Sequence, residues 1–436
     1  MAEYNGGTTE ADHLVVLVHG LWGNPEHMGS IAKKLREQYP PDQVYILVAK
    51  RNSGSFTYDG VELGGERVCV EIEEELELIK SRGGRINKLS VVGYSLGGLV
   101  ARYAIGLLHA RGVLDDLECM NFTAFASPFL GVRSPLRGWR SQLFNVLGPR
   151  TLSISGKQLF GLDKFRDTGK PLIAVLADPK SIFMSGLARF KRRTLYANVT
   201  NDRSTPYFTS AIDKTDPFTD LSKIKANYVR GYEPVLLDPE NPLVPMTPGP
   251  EKEPEGFDLR DFVGRLPTIL TLSVVLPLGI VAFLANAVVQ TARSSKRVKM
   301  HESGLAGIPV ERFRVNLWMN EIRQAVEGAY EDLGSAQRQE YLGQSADSDG
   351  EETDSSGEQI LALERKQTHP DQPTLALAPY QFSAIQALDE LGFRKYRVWI
   401  HDHGHTHAAI IVRSDKKGFE EGHVVLNHWV KDEFLI

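Results

Sequence analysis

The chain has 436 residues, enough to bury a large core, with 50 basic and 55 acidic residues and a formal net charge of −5. That balance lacks the signature of a nucleic-acid binder, and two cysteines, Cys69 and Cys119, make neither a disulfide framework nor a zinc ligand set, which points to a reducing compartment. Residues 1–12 form a polar N-terminal tail without the basic start and apolar run of a secretory leader, so the part that follows is expected in the cytosol.

From His13 onward short apolar, β-branched runs at 13–20, 43–49, 88–93, 121–127 and 193–199 alternate with helical patterns at 25–38, 62–80 and 97–110. In the second helix Val68, Ile72, Leu76 and Ile79 recur at helical spacing beside an acidic, solvated face. Strands alternating with helices predict an α/β unit over residues 13–215, a mostly parallel sheet flanked by helices. The first run ends in His19-Gly20-Leu21-Trp22-Gly23, a glycine-rich turn, and the third ends in Gly93-Tyr94-Ser95-Leu96-Gly97. The second sequence fits G-x-S-x-G, the nucleophile elbow of an α/β-hydrolase, in which a serine tops a tight strand-to-helix turn. Gly93 and Gly97 suit it because side chains beside the serine leave no room for the turn.

A serine hydroxyl is a poor nucleophile until a histidine takes its proton and a carboxylate orients that histidine. In α/β-hydrolases the partners follow in the order Ser, Asp or Glu, His, at the ends of later strands. Asp202 lies just past the 193–199 run in a turn-rich segment and is the first choice for the acid; Asp178 precedes that run, and Asp213, Asp216 and Asp220 follow no strong strand. The oxyanion of the tetrahedral intermediate needs donors, and the backbone amides of Leu96 and Leu21 are the two expected.

Past residue 216 the chain turns Pro-rich, and residues 216–390 are expected to form a cap inserted between strands of the core. Within it no charged residue occurs from 266 to 292, and Arg293, Lys296, Arg297 and Lys299 follow. Residues 343–374 include an acidic, Ser-rich stretch with few apolar residues and are expected to be a disordered loop. Residues 391–436 return to the core, with strand-like character at 395–400 and again at 407–414. Between these runs stand His401, His403, His405 and His407 at alternating positions. Gly404 argues against a regular strand that would gather four imidazoles for a metal, so no metal or cofactor is implied. His407, directly before the apolar run, is favoured as the base, with His405 second.

The blocks LVVLVHGLWGNPEHM, YDGVELGGERVCVEI, VVGYSLGGLVARYAIG, FTAFASPFLGVR, ANVTNDRSTPY and THAAIIVR together resemble the fungal members of a putative serine esterase, lipase-like family, which includes a yeast lipid-droplet phospholipase. The resemblance covers most of 13–210 and returns near 395–430. It implies that Ser95, Asp202 and His407 form the triad, that HGLWG lies on the oxyanion side, and that the protein resides on lipid droplets. Two positions depart from the family pattern: Phe129 and Tyr94 stand where members often carry His, and Tyr94 is expected to matter little.

The apolar block is longer than the roughly 20 residues that cross a bilayer as a helix. A single crossing, however, would put His407 on the opposite side of the membrane from Ser95. Pro267, Pro277 and Gly279 offer a break near the middle, so the block is expected to dip into one leaflet and return. Membrane contact is expected at Leu266, Leu276, Pro277, Leu278 and Phe283, with Arg293, Lys296 and Arg297 facing anionic headgroups. The buried alternative is a helix pair in the core of the cap.

The expected function is therefore a lipid-directed serine ester hydrolase that releases fatty acids from glycerophospholipids or acylglycerols through an acyl-enzyme at Ser95, on a lipid droplet or the cytoplasmic face of a membrane. The alternatives are a catalytically silent membrane-associated scaffold and a deacylase of proteins or inositol lipids.

Overall fold

A computed structural model describes residues 4–133, 135, 139–219, 221, 224–245, 284–308, 310–317, 360, 361, 363, 364 and 374–436. The strands in chain order are β1 (His13–Val18), β2 (Val44–Val48), β3 (Lys88–Tyr94), β4 (Glu118–Phe125), β5 (Arg192–Asn198), β6 (Ile224–Ala226), β7 (Leu243–Pro245) and β8 (Arg394–Val398). Six of them form one parallel sheet in the order β2-β1-β3-β4-β5-β8, and β6 and β7 make a separate antiparallel pair.

Strands covered on both faces must be apolar throughout, and alternate residues then serve different cores. In β1, Leu14, Val16 and Val18 pack into the larger core with α2 (Gly60–Ser81) and α3 (Leu96–Ala110), while Val15 and Leu17 face α1 (Gly29–Gln38) and the C-terminal helix Glu421–His428. Register aligns the strand ends. Tyr94, Phe125, Tyr196 and Tyr396 stand level with one another, and Tyr196 stacks between Phe125 and Tyr396 at 4.9 and 5.3 Å. The loops that follow β1, β3, β5 and β8 therefore open at one end of the sheet.

Both sheet edges are covered, and this changes the reading of two segments. The expected polar tail lies along edge strand β2: Gly6 and Ile46 exchange both backbone hydrogen bonds, at 2.7 and 3.0 Å, and the Val48 amide donates to Asn5 Oδ1. An edge strand has amides and carbonyls to satisfy, and the tail satisfies both of those of Ile46 and the amide of Val48. At the other edge, residues 235–237 run beside β8, with the Leu237 amide donating to the Arg397 carbonyl and Trp399 to that of Val235.

The chain leaves the sheet after β5 and re-enters at β8. Between them Phe313, Leu317, Leu375, Phe382 and Leu388 are buried in the larger core rather than in one of their own. Part of the expected disordered loop is ordered: Ile360 and Leu361 pack against this core, Glu364 pairs with Lys214 at 2.7 Å, and Thr374 is buried. The Ser-rich residues before 360 lie outside the described residues, as do Leu266, Leu276, Pro277, Leu278 and Phe283. Among the described residues no helix is long and apolar enough to cross a membrane.

The strand-like reading of 407–414 is corrected. Thr406–Ala409 is a short helix, and Ile410 to Val412 continue as a buried turn. A short apolar run states burial, not backbone conformation.

Candidate active site

β3 ends at Tyr94, and Ser95 follows with φ 55° and ψ −130°, a left-handed conformation that a side-chain-bearing residue adopts only under constraint. The constraint is visible in its neighbours. A Cβ on Gly93 would lie 2.4 Å from Gly98 Cα, and one on Gly97 would lie 2.2 Å from the Val18 carbonyl oxygen. Two further glycines that the motif does not single out are equally cramped. A Cβ on Gly98 would meet Ser127 Oγ at 2.2 Å, and one on Gly20 would meet Ser95 Cβ at 2.7 Å. The HGLWG loop therefore packs directly against the serine.

Ser95 Oγ donates to His407 Nε2 at 2.9 Å, and His407 Nδ1 donates to Asp202 Oδ2 at 2.9 Å. Both partners are secluded, with 12% of the His407 side chain and 2% of the Asp202 side chain exposed. Asp202 follows β5 in a tight turn where the amides of Ser204 and Thr205 donate to its Oδ1 at 3.0 and 2.8 Å. Asn198 Nδ2, from the last residue of β5, donates to its Oδ2 at 2.9 Å. These three donors fix the orientation of the carboxylate.

His407 sits in the short helix after β8, and Thr406 Oγ1 ties that helix to the Thr200 carbonyl at 2.8 Å. Tyr94, expected to matter little, holds the histidine directly. Its hydroxyl donates to the His407 carbonyl at 2.9 Å, and the two rings lie 5.1 Å apart. Burial pushes the Tyr94 phenol pKa up, so it remains a donor.

The other candidates go elsewhere. His405 is exposed, and its amide donates to His403 Nδ1; His401 faces Glu421, and His403 packs on Phe419. Among the described residues no three His, Cys, Asp or Glu side chains are grouped to hold a metal ion. Asp178 pairs with Lys170, Asp213 binds Tyr207 and Thr215, Asp216 accepts from the Phe218 amide, and Asp220 lies outside the described residues. Phe129 is wholly buried against Phe122 and Phe393, beneath the Arg102 guanidinium, which makes it a core residue.

In the HGLWG loop the Gly23 amide donates to the Gly20 carbonyl at 3.0 Å and the Trp22 amide to Thr57 Oγ1 at 3.1 Å. His19 is buried, which lowers its pKa, and its Nδ1 donates to the Gly20 carbonyl at 3.1 Å. Leu96 opens α3, so its amide is one of the four in a helix with no acceptor in the preceding turn.

Arg297, expected at a headgroup interface, turns inward instead. Its guanidinium meets Asp59 at 2.7 Å, and the Asp59 side chain is fully buried. A buried carboxylate demands a cation, and that demand outweighs exposure of this arginine to lipid. Arg293 and Lys296, on the same helix, are exposed.

Residues 8–214 match the family described as putative serine esterase (DUF676). The chain is 32% identical over 242 residues to putative lipase ROG1 of Saccharomyces cerevisiae, covering 53% of this chain and 33% of that protein. It is 27% identical over 253 residues to putative lipase C4A8.10 of Schizosaccharomyces pombe, covering 54% and 31%. The chain thus spans about a third of the length of these relatives. Among solved structures, the peroxisomal α/β-hydrolase Lpx1 of Saccharomyces cerevisiae is 13% identical with a TM-score of 0.27, over 46% of this chain and 66% of that one. The six-stranded parallel sheet, flanking helices and serine turn after β3 are those of an α/β-hydrolase fold.

Proposed function

From the place of residues 8–214 in the putative serine esterase family, we propose that this chain is a lipid-directed serine ester hydrolase. The observation that carries the reading is the unbroken relay from Ser95 Oγ through His407 to Asp202, with 2.9 Å at each step. Ser95 Oγ attacks the acyl carbonyl carbon while His407 Nε2 takes its proton. The resulting imidazolium is stabilised by Asp202 and returns the proton to the departing alcohol. Water then attacks the Ser95 acyl-enzyme by the same route and releases a fatty acid. The Leu21 and Leu96 amides hold the oxyanion, each contributing about 3 kcal/mol in a well-formed site.

Glycerophospholipid is the first substrate class and acylglycerol the second, consistent with the lipase names of the fungal relatives. The surface near residue 284 supports lipid docking: Leu284, Val288 and Val289 are exposed, and exposed Arg293, Lys296 and Lys299 follow. Exposed apolar side chains beside a basic cluster suit a monolayer or bilayer face with anionic headgroups. On this reading the protein works on a lipid droplet or the cytoplasmic face of a membrane.

The test exposes wild-type and Ser95→Ala protein to a fluorophosphonate and to mixed phospholipid and acylglycerol vesicles. Labelling and fatty-acid release are expected only with Ser95 present. Folded wild-type protein that neither labels nor releases fatty acid would establish a silent scaffold. The same vesicles, floated on a density gradient, test docking: a variant lacking 266–290 that still floats sinks the lipid-contact role of that segment.

A further inference from the structure

The helix over residues 284–302 is fastened to the body by buried polar contacts. Arg297 Nε donates to both oxygens of Asp59 at 3.0 and 2.9 Å, and its Nη2 donates to Asp59 Oδ1 at 2.7 Å and to the Ser55 carbonyl at 2.8 Å. Ser294 Oγ, from the same helix, donates to the Tyr58 carbonyl at 3.2 Å. Arg67 supplies a second cation to Asp59 at 2.7 Å, and the Phe56 ring has both guanidiniums about it, at 5.0 and 4.9 Å. Arg297 thus grips the turn Gly54–Tyr58 at Ser55 and Phe56 and the residue just after it, Asp59.

That same turn holds the loop expected to bind the oxyanion. The Trp22 amide donates to Thr57 Oγ1 at 3.1 Å, Trp22 Nε1 donates to Tyr58 Oη at 2.7 Å, and the Gly54 amide donates to the Gly23 carbonyl at 2.8 Å. Trp22 is half-exposed yet held at φ 56°, a conformation an unconstrained tryptophan would leave. It directly follows Leu21, and Gly20 touches Ser95. A continuous set of polar contacts therefore runs from Arg297 through Asp59 and the 54–58 turn to the loop beside the nucleophile.

We propose that Arg297 is a positioning residue: acting through Asp59 and the 54–58 turn, it holds the His19–Gly23 loop where the Leu21 amide can donate to the oxyanion. The inference rests on the esterase reading for its catalytic consequence, but the mechanical link stands or falls separately. Donors aimed at a developing charge work only when held in place beforehand, and a displacement near 1 Å removes most of their effect. Without Arg297, Asp59 retains Arg67, so the body stays folded while the turn loses the contacts that fix it from the outer side.

The experiment uses the full chain and two variants, Arg297→Met, which keeps an apolar stem against Phe56, and Tyr58→Phe, which removes only the oxygen that accepts from Trp22. Amide hydrogen exchange reads the link without reference to activity. Exchange over residues 19–24 is expected to quicken several-fold in Arg297→Met while residues 93–98 stay as in the wild type; unchanged exchange at 19–24 overturns the proposal.

Turnover of a soluble p-nitrophenyl ester reads the consequence. In each variant kcat is expected to fall about tenfold, as befits a misplaced oxyanion donor, with KM within about twofold. Affinity for a trifluoromethyl ketone that forms a tetrahedral serine adduct should fall by the same factor. Because both variants loosen one link, their losses should not multiply in the double variant. Independent, multiplying losses, or a folded Tyr58→Phe protein with wild-type kcat, would overturn the positioning role. Faster exchange at 19–24 in Arg297→Met, together with no Ser95-dependent hydrolysis by the otherwise wild-type chain, would leave the link standing and reject the esterase reading.

Discussion

Tyr94 stands one residue before the proposed nucleophile and donates to the backbone of the proposed base, so a single side chain ties two loops of the site together. Replacing it with Phe keeps the ring contact with His407 and removes only the hydrogen bond. A hydrogen bond of this kind is worth about 1 kcal/mol net, so Tyr94→Phe is expected to lower kcat about fivefold with little change in KM. Steady-state kinetics beside a thermal melt check this; a loss confined to melting temperature would reduce Tyr94 to a packing role. The local pattern G-x-S-x-G was legible because the turn's steric demand lies among adjacent residues. Tyr94's role was not, because its partner stands 313 residues later. Gly20 is cramped against Ser95 for a similar reason, since only the sheet brings the ends of β1 and β3 side by side.

At the scale of elements, glycines decide how closely the helices behind the elbow approach. A Cβ on Gly65 of α2 would lie 2.6 Å from the Tyr103 ring of α3, and one on Gly106 of α3 would lie 2.3 Å from the Phe183 ring of the helix Ile182–Ala188. Gly106→Val is therefore expected to force these helices apart and cost about 2 kcal/mol, the usual size of an overpacking penalty. Urea unfolding measures the cost, and turnover per folded molecule should stay near wild type because the atoms that a Cβ at Gly106 would crowd belong to Phe183, not to the triad. An unchanged urea midpoint would mean that the packing relaxes freely there. The expected strands and helices of the first half lie within a few residues of the observed ones, since their period and their apolar content agree. The run after His407 carries apolar content without a usable period, so its helical turn was decided by the buried site it fills.

At the scale of the whole molecule, the first strand and the last residues are joined through one buried polar chain. Ser90 Oγ accepts from the Asn121 backbone and side-chain nitrogens at 3.2 and 2.8 Å, which leaves its own hydrogen to donate to His13 Nε2 at 2.7 Å. Asn121 in turn exchanges hydrogen bonds with Leu435 at 2.7 and 2.9 Å, and Phe434 stacks on the His13 ring at 5.5 Å. His13 must then be neutral, and burial, helped by the Lys88 charge, lowers its pKa to about 4. Between that value and the unfolded value of about 6.5, the unfolded chain binds more protons than the native one. The contribution of His13 is thus intact above about pH 6.5 and is lost as pH falls towards 4, by an amount of order 3 kcal/mol. His19 and His428, also lowered by burial, act in the same direction. Urea midpoints should fall from pH 7 to pH 5, with a shallower fall in His13→Gln; a flat wild-type profile would contradict the neutral assignment.

The sequence by itself determined the α/β architecture, the serine turn and the short set of residues from which an acid and a base could come. These depend on period, apolar content and local steric demand, which adjacent residues carry. Only the tertiary structure decided which candidates meet. Asp202 and His407 are 205 residues apart, and Ser95 and His407 are 312, yet the sheet order β3-β4-β5-β8 and the strand register set their loops side by side. The inward turn of Arg297 has the same origin: a basic cluster beside an apolar block reads as a lipid contact until the fold buries Asp59 within its reach, and a buried carboxylate then claims the nearest guanidinium.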